Sequence, residues 1–164
     1  MEYQELKHEF EPVWNQASQV LILGSFPSVK SREQGFFYGH PQNRFWKVMA
    51  AVVGEQVPMT IPEKKKMLLQ HHIAVWDVIQ SCRIKGSSDS SIRDVVPVDL
   101  TPLLEKSAIC SIYANGKTAE RLYNRYLLPQ TGMPVVVLPS TSPANAAWNL
   151  EQLVSEYKVM ERYV

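Results

Sequence analysis

The sequence predicts a three-layer α/β/α sandwich around a central four-stranded parallel sheet, formed by a single domain over residues 1–164. Three observations predict it. Short continuous apolar runs stop abruptly at Gly, Asn or Pro, as strands buried on both faces do. Segments with helical apolar spacing separate these runs, so right-handed crossovers join parallel strands. No repeat, low-complexity tract or linker interrupts a chain that is 45 % hydrophobic and 20 % charged, a balance that supports a core rather than disorder.

The elements follow in order. Residues 19–23, Gln-Val-Leu-Ile-Leu, form the first strand, which ends at Gly24. Residues 24–40, rich in Gly, Ser and Pro, form a long loop, and a loop of that length in a compact domain is usually functional. Pro41 opens a helix whose apolar face is Phe45, Trp46, Val48, Met49, Val52 and Val53, and Gly54 closes it. Pro62 opens a second helix, with Lys64, Lys65 and Lys66 near its start and Met67 and Leu68 inward. Residues 73–76 are strand two, 80–98 are irregular and polar, and 100–106 make a short helix. Strand three covers 109–114 and ends at Asn115-Gly116. A helix then runs over 117–128 until Pro129 stops it. Strand four covers 134–138. After a Ser/Pro loop the last helix runs from Asn145 to Arg162, with Ala147, Leu150, Val154 and Tyr157 inward. In such a sheet the site lies beyond the carboxyl ends of the strands. Loops 24–43, 77–91 and 139–145 meet there.

Lys plus Arg number 17 and Asp plus Glu 16, which excludes a uniformly basic DNA coat. The charge is uneven: residues 21–140 carry 14 basic and 9 acidic groups, whereas both ends are acidic. The surplus sits in the middle of the chain and spans the expected site, so a local basic patch is not excluded. Cys82 and Cys110 form no CxxC pattern, so neither a cysteine-rich metal site nor a disulfide scaffold is expected. His71-His72 diverge on a helix, and neither HxxxH nor HExxH occurs. No leader and no membrane-spanning run of about 20 apolar residues is read, so the expected location is cytoplasmic and reducing.

The three loops hold the candidate chemistry. Gly24-Ser25-Phe26-Pro27-Ser28 is neither a dinucleotide fingerprint nor a P-loop. Gly24 permits close backbone approach to a ligand, or simply a turn. Phe36, Phe37 and Tyr38 are adjacent aromatics that suit stacking on a planar base or packing in the core. Asn43, at about the third position of its helix, offers an amide to a water or a leaving group, or else caps the helix. His40 reads as a cap or structural histidine before a general base. Asp77, at the end of strand two, is an acceptor for the N–H edge of a base, or binds loop amides or Arg83. Ser140, Thr141 and Ser142, at the start of the last helix, suit a phosphate or cap that helix.

In combination these motifs resemble the uracil-DNA glycosylase superfamily over most of the chain. Leu-Ile-Leu-Gly24-Ser25-Phe26-Pro27-Ser28 resembles its first motif. Tyr38-Gly39-His40-Pro41-Gln42-Asn43-Arg44-Phe45-Trp46-Lys47 is similar to the following segment of mismatch-specific glycosylases. Leu138-Pro139-Ser140-Thr141-Ser142-Pro143 resembles the second motif, a minor-groove loop. The Gly-Ser-Phe-Pro-Ser and Leu-Pro-Ser-Thr-Ser-Pro-Ala-Asn versions are most similar to the hypoxanthine-DNA (deoxyinosine) glycosylase branch. Two departures stand out: Phe26 lies where most relatives carry a catalytic Asp, Asn or Glu, and Leu138 lies where the best-known uracil enzymes carry a His.

The resemblance implies a monofunctional DNA glycosylase that flips and hydrolytically releases hypoxanthine, xanthine or uracil from double- or single-stranded DNA. It implies no metal, no cofactor, no membrane, a monomer and a place at the nucleoid. Asn43 is the implied catalytic residue. Gly24, Ser25, Phe26, Tyr38 and Asp77 would bind the base, and Pro27, Ser28, His40, Ser140, Thr141, Ser142 and Pro143 the DNA. The alternatives are a non-catalytic α/β module for nucleotides or DNA ends, and an esterase built on Ser25 and His40, although no GxSxG elbow occurs.

Overall fold

All four apolar runs pair side by side in a parallel sheet, in a computed structural model that describes residues 2–164. In chain order the elements are β1 (Gln4–Lys7), β2 (Val20–Gly24), α1 (Val29–Gln34), α2 (Phe45–Val53), α3 (Ile61–Gln70), β3 (Ile73–Asp77), β4 (Ile79–Ile84), β5 (Arg93–Pro97), α4 (Thr101–Lys106), β6 (Ser111–Asn115), α5 (Lys117–Tyr126), α6 (Leu128–Thr131), β7 (Val135–Leu138) and α7 (Leu150–Tyr157). The parallel sheet has the order β3-β2-β6-β7. Its central strand is buried on both faces because each face meets a separate core. Val20 and Ile22 join Phe45, Trp46, Met49, Leu68 and Leu153 from α2, α3 and α7. Leu21 and Leu23 join Leu100, Leu103, Leu122 and Tyr123 from α4 and α5. Helices therefore cover both faces, which is the expected sandwich.

The stretch read as irregular, 80–98, instead holds β4 and β5. With β1 they form a three-stranded antiparallel sheet in the order β1-β4-β5. Its alternation is broken by register shifts between Ile79 and Arg83, and β1 and β5 are largely exposed, so no clean period marks them. Ile79, Cys82 and Ile84 of β4 face the second core. Burial pushes the Cys82 thiol up to about 11, against the nearby Arg32 guanidinium, so it is an inert core group.

Four helix boundaries also differ. The long first loop contains α1, capped by Ser28 at one end and by left-handed Gly35 at the other. The helix expected from Pro41 starts at Phe45. Residues 40–43 form a turn, Asn43 N–H to His40 C=O at 2.9 Å, and the Asn43 side chain accepts from Phe45 N–H. Pro129 does not end α5; it lies in the first turn of α6, where its missing N–H is harmless. The last helix starts at Leu150 rather than Asn145, because Asn149 and Gln152 form a reciprocal capping box. Its buried side chains are Leu153 and Tyr157, not Ala147 and Leu150.

Because Ile22 is wholly enclosed in the central strand, truncation leaves a cavity that the sheet has little freedom to close. Ile22→Ala is expected to lower stability by about 3 kcal/mol, seen as a lower urea midpoint with an unchanged m value.

Candidate active site

The parallel register brings the two most informative strand ends together: Gly24 of β2 lies opposite Asp77 of β3. A Cβ at Gly24 would lie 2.4 Å from Asp77 Oδ1 and 3.1 Å from the Tyr38 hydroxyl. Only glycine fits, since this approach is closer than any real side chain tolerates. Beyond these ends lies a cleft of about 290 Å³. Gly24, Ser25, Phe26, Pro27, Ser28, Tyr38, His40, Asn43, Asp77, Ser140, Thr141, Ser142 and Pro143 all line it, so the sheet brings together every site residue named from the sequence. Ser31, Phe37, Ser87, Asp89, Asn115 and Ala144 line it as well.

Asn43 is half-buried, and its side-chain oxygen is fully engaged. It accepts from Phe45 N–H at 2.9 Å and from the Thr141 hydroxyl at 2.9 Å. Its amide is thereby oriented with the NH₂ group as the free end, a donor rather than an acceptor. The helix-cap role and the cleft role coexist in one side chain. Thr141 in turn holds both polar atoms of Asn115: Thr141 N–H donates to Asn115 Oδ1, and Asn115 Nδ2 donates to Thr141 Oγ1, each at 3.0 Å. Thr141 is wholly buried, so the expected contact of its hydroxyl with DNA gives way to an internal bond.

The rest of the second-motif loop is held by backbone. Arg44 donates to the carbonyls of Ser142 and Asn145, both at 3.1 Å, and to that of Trp148. Arg44 N–H also donates to Thr141 C=O at 3.0 Å. Ser140 Oγ accepts from Ser142 N–H and Ser142 Oγ from Ala144 N–H, both at 3.1 Å. These hydroxyls therefore shape turns, and they lie ahead of the α7 N-terminus rather than on it.

Tyr38 adopts a left-handed backbone (φ 52°) and stacks on Phe45 with ring centroids 4.0 Å apart and an interplanar angle of 18°. One ring face is thus taken by Phe45. Its hydroxyl is buried without a hydrogen-bond partner. Burial, then the Asp77 charge, raise its pKa well above the ordinary range, so it stays protonated. Phe37 is core, flanked by Phe10 and Phe36. Phe26 meets the His8 ring edge-on and lies under Arg32. Pro27 is buried, and its carbonyl accepts from Arg32 at 2.8 Å. Ser28 caps α1, and His40 Nδ1 accepts from Gln42 N–H at 3.1 Å.

Asp77 meets neither loop amides nor Arg83. Its Oδ2 lies 2.8 Å from His8 Nε2, and both side chains are nearly inaccessible, at 6 % and 1 %. His8 was missed because it lies 69 positions away, just past β1 of the unrecognised sheet. Asn115 was legible by the argument that selected Asp77, since it ends β6, two strands from β3, at the same carboxyl end of the sheet. Asp89 comes from the polar loop between β4 and β5. Its Oδ1 accepts from Ser25 Oγ at 3.3 Å. Burial of the carboxyl raises its pKa, opposed by the Ser25 and Thr118 hydroxyls and Arg121 and reinforced by Asp77.

Residues 12–161 match the sequence model of the Uracil DNA glycosylase superfamily. The chain belongs to that superfamily. It is 34 % identical, over 96 % of its own length and 99 % of the other's, to a protein of Methanosarcina acetivorans named Hypoxanthine DNA glycosylase. A Methanosarcina barkeri protein of the same name is 29 % identical over 85 % of this chain and 88 % of that one. A solution NMR structure from M. acetivorans, described as a candidate uracil DNA glycosylase, superposes with a TM-score of 0.80. It is 34 % identical and covers 93 % of this chain and 94 % of its own.

The His8–Asp77 contact is testable as a pair. His8→Phe leaves the buried Asp77 carboxylate short of a partner and is expected to lower stability by about 2 kcal/mol. In an Asp77→Asn background the same change should matter much less, and a thermal-denaturation double-mutant cycle measures the difference.

Proposed function

We propose that this protein is a monofunctional DNA glycosylase that hydrolyses the N-glycosidic bond of a deaminated base, hypoxanthine foremost, and leaves an abasic site. The observation that carries the reading is the 34 % identity to a protein named for that activity, maintained over nearly all of both chains. The cleft supports it. At about 290 Å³ it lies at the small end of ligand pockets, which suits one flipped base. The substrate is DNA with a deaminated base, in one strand or two. The protein acts as a monomer in the cytoplasm, at the nucleoid, and needs neither metal nor cofactor.

In this mechanism the damaged nucleotide leaves the stack, at a cost of a few kcal/mol that is lowest for a mispaired base. Phe26 and the open part of the Tyr38 ring border the base. Backbone groups at Gly24 and Ser25, together with Asp77, read its edge; hypoxanthine, xanthine and uracil all present a ring N–H beside a carbonyl. The free NH₂ of Asn43 donates either to the attacking water, fixing its oxygen, or to charge arriving on the base as the bond breaks. Ser28, His40, Ser140, Ser142 and Pro143 form the rim that meets the DNA, and the buried Pro27 and Thr141 support it from beneath. No lysine lines the cleft, so strand cleavage through a Schiff base is not expected.

Duplexes carrying hypoxanthine, xanthine or uracil, incubated with the protein and then treated with alkali, should break at the hypoxanthine site at least. Binding without breakage at any of the three would replace the glycosylase with a non-catalytic DNA-binding module. Asn43→Ala is expected to lose about 100-fold in single-turnover rate at saturating protein, the scale of one preorganised donor. Asp77→Asn turns an acceptor into a group with a donor, so the order of preference among the three bases should change; an unaltered order counts against edge reading.

A further inference from the structure

Hydrolysis requires a water that loses a proton as its oxygen bonds to the sugar carbon. A group in the cleft that takes that proton lowers the barrier. Its titratable side chains are Tyr38, His40, Asp77 and Asp89. Tyr38 stays protonated, for the reasons above. His40 Nδ1 is already engaged by the Gln42 N–H. Asp77 is enclosed and held by His8. Asn43 has no free acceptor.

Asp89 is different. Its Oδ1 takes only a long 3.3 Å contact from Ser25, and the Thr118 hydroxyl is its other side-chain partner. The residue as a whole is exposed, so water reaches it, while its carboxyl end is partly enclosed beside Ser25, Thr118 and Arg121. The loop that carries it is nevertheless fixed against the first motif. Arg32 bridges Pro27 C=O at 2.8 Å and Gly86 C=O at 3.1 Å, and Val29 N–H donates to Ser87 Oγ at 2.8 Å. Ser91 Oγ closes the turn on itself by donating to Ser88 C=O at 2.7 Å. A flexible tip would hold a carboxylate poorly; this one is tied to the α1 segment through Gly86 and Ser87 and braced internally by Ser91.

We propose that Asp89 is the general base of the reaction, supplied by the antiparallel sheet to a first motif that has Phe26 and no acid of its own. This inference rests on the glycosylase reading above. The water oxygen bonds to C1′, and its proton passes to the Asp89 carboxylate. The C1′–N bond breaks with its electron pair going to the base, which then takes a proton from solvent. Asn43 donates and Asp89 accepts, so the two roles are complementary. The groups that face Asp89 are Ser25 after β2, Asp77 at the end of β3, and Thr118 and Arg121 on α5. His40 lines the same cleft.

The test is the pH dependence of single-turnover release of hypoxanthine by the full-length protein and its Asp89→Asn and Asp89→Glu variants. A base works only when ionised, so the wild-type rate should fall as the pH drops through the raised pKa of Asp89. Asp89→Asn is expected to lose about 100-fold at neutral pH, with the acid limb gone and with thermal midpoint and DNA affinity unchanged. Asp89→Glu should recover part of the rate and restore an acid limb. An Asp89→Asn rate like the wild type's, or a slowed rate that keeps the acid limb, overturns the proposal while the glycosylase reading stands. A wild-type protein that releases no base overturns both.

Discussion

The contact between Thr141 and Asn43 joins two loops that are 98 positions apart, and the cleft depends on it. Thr141 has no solvent exposure, and its hydroxyl both donates to Asn43 and accepts from Asn115. A buried hydroxyl with both functions satisfied fixes its neighbours, because any shift would leave polar groups unpaired in a poorly hydrated place. The Asn43 oxygen is thereby committed and its NH₂ group is turned to the cleft. Arg44, the next residue, binds the same loop through three carbonyls and extends the clamp along the backbone. One segment, Asn43-Arg44, therefore orients the candidate catalytic amide and shapes the rim of the cleft.

The opposite wall is built on different physics. Gly24 and Asp77 are register partners, and the missing Cβ of Gly24 is what admits the Asp77 carboxylate. His8 then holds that carboxylate from the antiparallel sheet, so a strand remote in sequence completes a site on the parallel sheet. The same sheet brings Asp89 to the mouth of the cleft. The small antiparallel sheet is thus not decoration on the sandwich. It brings His8 against Asp77 and places Asp89 in the lining of the cleft.

The near-neutral charge also takes on a physical meaning. The residues around the cleft are mostly hydroxyls, amides and backbone groups, with the acidic Asp77 buried and Asp89 exposed. An enzyme that must leave each site it inspects gains little from many phosphate contacts, since each one steepens the dependence of affinity on salt. Acid groups inside a weakly basic molecule also suit a reaction in which positive charge develops on the sugar.

The parallel sheet was legible from residues alone, because strands enclosed on both faces must be continuously apolar, and Val20–Leu23 and Ile73–Val75 are. The convergence of the three loops followed from that topology, which is why the thirteen residues named from the sequence line one cleft. The antiparallel sheet was not legible. Its strands are short, half-exposed and bulged, so their side chains carry no clear period. Helix starts were misread wherever a side chain, Asn43 or Asn149, capped a turn later than Pro41 or Asn145 suggested. The sequence by itself determined the fold class, the site's location and its membership of residue types. Only the tertiary structure decided which way the Asn43 amide points, what holds Asp77, and which carboxylate reaches water. These are long-range pairings, 64 to 98 positions apart, and local spacing carries no record of them.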